Sequence, residues 1–235
     1  MLDSIARIPT EELSKKVEPE FFQKLSDERF MRMATLLAKK GYEEGGCPIG
    51  GVIIDNETRQ IVGKGHNTLM QENNSVVHGE TAATIDAGRA AKAKGQGLVD
   101  FSKTTMFTTL TPCRVCCCQL NTRTRPSRVV IGDITNAPST APRLSGMQVD
   151  ILEDRVAIKQ YKEYSDKYPE KHYADWLGEP WYQKNKHLTP EKLLKAAIVE
   201  VAKLDNYDMK ALRGMVTSKF TDSKTIGGTG EGRNA

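Results

Sequence analysis

The chain has 235 residues, 38% hydrophobic and 27% charged, with 34 Lys+Arg against 30 Asp+Glu and a net charge of +4. That length suits one domain with an appended segment, and the excess charge is spread without a basic block, which argues against nucleic acid as an obligate partner. No run approaches 18 apolar residues and Met1–Arg7 has no apolar signal core, so neither a membrane span nor export is predicted.

Residues 1–25 are polar with short apolar patches such as Phe21-Phe22, and are expected to form an N-terminal arm with some helix. Ser26 offers an N-cap for a helix over Asp27–Gly41, with Phe30, Met33, Ala34, Leu37 and Ala38 on one face. Gly41, Gly45 and Gly46 are expected to stop it. Ile49–Asp55 and Gln60–Gly65 read as strands joined by a turn at Asn56-Glu57-Thr58. A loop over Asn67–Val77 leads into an alanine-rich helix, His78–Lys94, ended by Gly95. Thr104–Leu110, Arg128–Gly132 and Val149–Leu152 read as strands, and Cys113–Thr122 and Asp154–Tyr168 as helices. This alternation predicts a sheet covered by helices, with parallel connections late in the chain. Residues 26–182 are taken as the main domain and 183–224 as a helical extension. Its first helix starts at Thr189-Pro190-Glu191 and carries Leu193, Leu194, Ala197, Ile198 and Val201 on one face, and a second is possible over Asp208–Phe220. Trp181 and Tyr182 would pack this extension onto the main domain. Residues 225–235 are Gly-rich and expected to be disordered.

The chemistry concentrates in His78-Gly79-Glu80 and in Pro112-Cys113-Arg114-Val115-Cys116, which begins 32 residues after Glu80. One imidazole and two thiolates make three protein ligands for a zinc ion and leave its fourth tetrahedral position open, as in catalytic rather than structural sites. His78, Cys113 and Cys116 are the expected ligands, with one Zn2+ per chain. Glu80, two residues from the histidine, is the expected catalytic proton carrier. His78 and Cys113 each open a helix, and helix N-termini favour thiolate and carboxylate.

The chain has five cysteines, four of them within residues 113–118, a clustering that fits metal ligation in a reducing compartment better than a disulfide framework; a cytoplasmic location is expected, with a nuclear one compatible. At about 100° per residue Cys113, Cys116 and Cys117 share one helical face, while Cys118 points roughly 140° away from Cys113. Helix geometry leaves Cys116 and Cys117 as alternatives; the spacing of the motif favours Cys116. Cys47 beside Pro48 is expected to be buried and inert. His66 is read as a loop-fixing residue, and His172 and His187 as lying in polar surroundings without partners at ligand spacing.

Residues from Met33 to about Asp154 resemble the yeast-type cytosine deaminases of the zinc deaminase superfamily. The resemblance is carried by Gly41-Tyr42-Glu43-Glu44-Gly45-Gly46-Cys47-Pro48-Ile49-Gly50-Gly51, Gly63-Lys64-Gly65-His66-Asn67, His78-Gly79-Glu80 and Thr108-Thr109-Leu110-Thr111-Pro112-Cys113, and continues more weakly through Asp175-Trp176. It implies a three-layer α/β/α fold on a mixed five-stranded sheet, a homodimer, and a pocket closed by the C-terminal segment. It further implies that Asn67 and the Gly79 backbone bind substrate, that Trp176 helps close the pocket, and that Glu80 moves protons from water to ring and leaving ammonia.

Two positions depart from that family. Glu179 stands where an aspartate would read a pyrimidine, and Ala137 stands where an aromatic wall would follow the fourth strand. The expected activity is hydrolytic deamination of a small amino-substituted heterocycle, cytosine to uracil first. The alternatives are another base, a nucleoside or a specialised metabolite; a nucleic-acid-editing subunit or a non-catalytic interaction protein fits less well, since the tail is nearly balanced in charge and the motif is intact.

Overall fold

The structure, a computed structural model, describes residues 19–137 and 143–204. Most of the expected arm, the second extension helix and the Gly-rich end lie outside the described residues. Five strands form one mixed sheet in the order β2-β1-β3-β4-β5: β1 (Gly50–Asp55), β2 (Ile61–His66), β3 (Thr104–Thr108), β4 (Arg128–Ile131) and β5 (Gln148–Ile151). Strand β1 is antiparallel to both β2 and β3, while β3, at the centre, runs parallel to β4 and β4 to β5. Alternation sorts the side chains. Ile53, Met106, Val129 and Ile131 face one layer of helices, and Val52, Ile54, Phe107 and Val130 face the other. The sheet is therefore buried on both sides, as the three-layer expectation required.

Helix α1 spans Pro19–Glu43, and its start corrects the expected N-cap at Ser26. Ser26 is a buried interior residue whose hydroxyl accepts from Arg59 Nη2 at 2.6 Å. Gly41 does not stop the helix either. It lies inside it, and a Cβ there would meet His66 Nδ1 at 3.0 Å. The buried stripe runs through Phe30, Met31, Ala34 and Ala38, so it is rotated toward Met31 from the expected face. The β1–β2 turn is held by Asp55, whose Oδ1 accepts from the Thr58 amide at 2.7 Å and hydroxyl at 2.9 Å.

After β2 come the one-turn α2 (Leu69–Glu72) and α3 (Gly79–Ala93). Helix α3 lies on β1 and β2 through small residues: a Cβ on Gly51 would sit 2.5 Å from the Gly79 carbonyl oxygen, and one on Gly63 would overlap the carbonyl of Ala83. Only glycine permits that approach, and it places the first turn of α3 directly over β1. Helix α4 (Arg114–Gln119) follows β3 and widens into a π-helical turn over Leu120–Thr124.

At the far end of the sheet Arg128 of β4 ties three elements together. Its Nη1 and Nη2 donate to the Asp27 carboxylate of α1 at 2.9 and 2.6 Å, and its Nε donates to Asp150 of β5 at 2.5 Å. The Arg128 and Asp27 side chains are 14% and 4% exposed, so removing one partner strands the other away from water. Arg128→Ala is expected to cost about 3 kcal/mol of stability, read as a lower urea midpoint with zinc uptake by the folded protein unchanged.

Asp154 caps α5 (Arg155–Lys167), accepting from the Val156 and Ala157 amides at 3.0 and 2.8 Å. Three further helices follow: α6 (Pro169–Leu177), α7 (Glu179–Asn185) and α8 (Pro190–Leu204). The first two had no counterpart in the sequence expectation. Leu193 and Ala197 of α8 pack with Tyr173, Leu177, Trp181 and Tyr182, so the extension docks by the apolar face read from its sequence. The expectation for His172 is corrected. It is buried, its Nδ1 lies 2.8 Å from the Tyr161 hydroxyl, and burial pushes its pKa down to about 4, so it is a neutral packing residue.

Candidate active site

His78 and Cys113 are the N-cap residues of α3 and α4, both with extended backbone, so each side chain leaves its helix at the open end. Because α3 sits over β1 and α4 follows β3, the two helix starts converge. His78 Nδ1 lies 3.3 Å from Cys113 Sγ and 3.6 Å from Cys116 Sγ, and the sulfurs are 3.5 Å apart. Tetrahedral zinc with Zn–S near 2.3 Å and Zn–N near 2.05 Å separates its ligands by about 3.8 Å (S–S) and about 3.6 Å (N–S). The observed spacings are within about 0.3 Å of these values. Among the described residues these three are the group placed to hold a metal ion. Cys117 turns the other way, into the core beneath α3, with its sulfur on the Pro112 carbonyl at 3.5 Å. The choice that helix geometry left open thus falls on Cys116. Cys118 is exposed, and Cys47 is buried, with burial holding its thiol protonated.

Without metal the three groups form a charge-sharing cluster. The Cys116 thiol lies 3.5 Å from Cys113 Sγ and 3.3 Å from Glu80 Oε2 and has one proton to share between them; with His78, its hydrogen bond lowers the Cys113 thiol well below its usual range. Cys116 is itself pushed well above the usual range, first by that hydrogen bond and then by burial. Burial opposes charge on His78, but the Cys113 thiolate, Asp175 and Glu80 outweigh it and raise the imidazole to about 9. At neutral pH this is an imidazolium, a thiolate and a thiol. Zinc requires a neutral imidazole and two thiolates, so its uptake near pH 7 should release about two protons per ion. Affinity should fall as pH falls, because protons compete for His78 and Cys116. An indicator dye in weak buffer reads this directly; zinc uptake without proton release would contradict the arrangement.

Glu80 lies one residue into α3 and is buried. Its Oε1 is 3.2 Å from the Thr108 hydroxyl, and its Oε2 accepts from the Cys116 thiol at 3.3 Å. The Thr108 hydroxyl also reaches the Leu110 carbonyl at 3.0 Å. A hydroxyl has one proton, so both Thr108 contacts are made together only when Glu80 carries a proton of its own. Burial, then the Cys113 thiolate, raise the Glu80 carboxyl above its usual range, which favours uptake of a proton by this group. Once Cys116 is a thiolate it no longer donates to Oε2, and that oxygen is left open toward the metal position.

Beside the cluster is a cavity of about 1040 Å³ whose wall includes His78, Cys113, Asn67, Tyr161, Asp175 and Trp176. Asn67 is fully buried. Its Oδ1 accepts from the Leu69 amide at 3.0 Å, while its Nδ2 has no partner. His66 does fix this loop: its Nδ1 is 3.1 Å from the Asn67 carbonyl oxygen and its Nε2 is 3.3 Å from Glu44. Gly79 is buried at the first turn of α3, and Glu80 lies beneath the His78–Cys113 surface; neither is on the wall. Glu179 is on the wall but exposed, its Oε1 bonded to Gln183 Nε2 at 2.5 Å. Ala137 is buried against Cys47, Ile49, Leu110, Tyr161 and Tyr164, away from the wall. Tyr161 and Tyr164 of α5, with Trp176, supply the aromatic side that residue 137 lacks. Sequence reading gave the two tyrosines no role and met Asp175 only in the weak Asp175-Trp176 match; neither signal says which face turns inward.

The fold and this site define an α/β/α protein with a candidate metal centre at the converging starts of two helices. The family described as "Cytidine and deoxycytidylate deaminase zinc-binding region" matches residues 24–133. The cytosine deaminase of Candida albicans is 31% identical over 152 residues, 64% of this chain and 93% of that protein. The tRNA-specific adenosine deaminase of Buchnera aphidicola subsp. Schizaphis graminum is 30% identical over 135 residues, 57% of this chain and 84% of that protein. Among solved structures, a single-residue mutant of NE0047 in complex with 8-azaguanine shares the fold with a TM-score of 0.50 at 16% identity, over 58% of this chain and 82% of that one. The chain belongs to the zinc-binding cytidine and deoxycytidylate deaminase family. No described helix is long and apolar enough to cross a membrane.

Proposed function

We propose that the chain is a zinc-dependent hydrolytic deaminase of a free amino-substituted heterocycle, with cytosine to uracil as the leading reaction. The observation that carries the substrate class is the Asn67 side-chain amide: a buried donor without a partner, on the wall of the cavity that also exposes His78 and Cys113. A buried N–H without an acceptor is costly, and a ring carbonyl or ring nitrogen would satisfy it. Bound zinc lowers the pKa of a water ligand toward neutrality. Glu80 would carry one proton from the attacking water to the ring nitrogen, and a second, from the hydroxyl added to the ring carbon, to the amino group that leaves as ammonia. Asn67 and Trp176 orient the ring from the wall, the Gly79 backbone reaches it only if the first turn of α3 opens toward the cavity, and Glu179 reaches its polar edge only if it leaves Gln183. The homodimer implied by the resemblance belongs to the same proposal and is read by sedimentation.

A second reading, a purine-sized ring, is supported by the cavity volume, at the upper end for small-molecule sites, and by the tRNA-specific adenosine deaminase relative. The discriminating experiment is ammonia release by zinc-loaded protein from cytosine, isocytosine, cytidine, guanine, adenine and adenosine. Cytosine turned over fastest supports the first reading, a purine turned over fastest replaces it with the second, and silence on all six rejects both. Asn67→Asp keeps the acceptor for the Leu69 amide but replaces the free donor. It should lower kcat/KM about 10- to 100-fold, mostly through KM.

A further inference from the structure

Among the described residues Asp175 is the carboxylate of the cavity wall that comes close to a metal-binding side chain, and the reaction above gives it no task. It lies near the end of α6, and its Oδ1 is 4.0 Å from His78 Nε2. The orientation of the His78 ring decides what that means. Its Nδ1 faces the two sulfurs at 3.3 and 3.6 Å, so a ring bound to metal through Nδ1 carries its proton on Nε2. That Nε2 is buried and has no hydrogen-bond partner. A buried donor left unmade is costly, and an unpartnered donor on a metal ligand leaves the ring free to turn. The Asp175 side chain, 28% exposed on the cavity wall, has opposite charge. The 4.0 Å gap becomes a hydrogen bond when the carboxylate moves about 1 Å, or when one water spans it.

We propose that Asp175 is the positioning residue of the metal centre, accepting the His78 Nε2 proton and holding the ring so that Nδ1 faces the metal. The assignment rests on the metal reading of His78, Cys113 and Cys116 and is independent of which substrate is used. It also gives the C-terminal helices a role: α6 carries the group that orients a ligand supplied by α3, so seating of α6 and metal affinity are linked. Glu179, the acid expected from sequence to face the site, is bonded to Gln183 instead.

The test uses the full chain with Asp175→Ala and Asp175→Asn, zinc affinity measured by chelator competition, and the absorption spectrum of the cobalt-loaded protein. Asp175→Ala should weaken zinc binding about 10- to 100-fold and change the cobalt spectrum. Asp175→Asn still offers a carbonyl oxygen to Nε2–H, so it should recover most of the affinity and the wild-type spectrum. Wild-type zinc affinity and cobalt spectrum in Asp175→Ala would overturn the assignment, even if turnover fell, since that pattern marks a substrate contact. Equal losses in both variants would overturn it too, because a hydrogen-bond acceptor would then be irrelevant. Neither measurement involves a substrate, so failure of the substrate reading is told apart from failure of this one.

Discussion

Glu80→Gln is expected to lower turnover by about 10²- to 10⁴-fold or more while the protein still binds one zinc per chain. Glutamine has the shape of glutamate and can still meet Thr108, so the fold of the first turn of α3 is kept. What it cannot do is accept a proton and give it back. Loss should appear in kcat more than in KM, the signature of an interaction made in the transition state. Stability should not fall. A carboxyl that burial raises above its usual range costs folding free energy when ionised, and the neutral amide removes that cost. Turnover within a few-fold of wild type in Glu80→Gln would remove this residue from the mechanism.

The second large effect separates two neighbouring cysteines. Cys116→Ser should lose most zinc, because a hydroxyl is a poor ligand at neutral pH and Cys113 with His78 would leave only two strong donors. Activity should vanish with it. Cys117→Ser should keep zinc at one per chain and instead lower stability, since a hydroxyl would be placed among Ile53, Ala83, Met106 and Leu120. The Pro112 carbonyl can accept from that hydroxyl, so the expected cost is about 1 kcal/mol, for a polar group placed among apolar side chains. Full zinc retention in Cys116→Ser would contradict the ligand set.

The metal cluster was legible in the sequence because its parts are local: a histidine at one helix start and two cysteines one turn apart at another. Nothing remote decides which way they point except the choice between Cys116 and Cys117, which depends on where the sheet lies. Ser26 shows the opposite case. Its residue type marks a helix start, but its hydroxyl is used by Arg59, 33 residues on, and the helix begins about two turns earlier. His172 reads as a polar-segment residue, yet Tyr161 and Tyr173 bury it from two helices. The two acids after α5 illustrate the same limit. Glu179 matched by its spacing from Trp176, but Gly178, with φ of +87°, breaks the helix between them and leaves Asp175 nearer to His78. Local pattern sets elements and local constellations; which side chain faces the cavity is settled by packing between segments far apart in sequence.

Turnover as a function of bound zinc tests the central claim most directly. Metal-free protein is loaded in steps, and ammonia release from cytosine and from the purines is measured at each step beside the zinc content. Release should be absent without metal, rise in proportion to bound zinc, and level off at one ion per chain. Ammonia release from metal-free protein, or one bound zinc per chain with no release from any amino-substituted heterocycle, would contradict the reading of this site as a zinc-dependent deaminase.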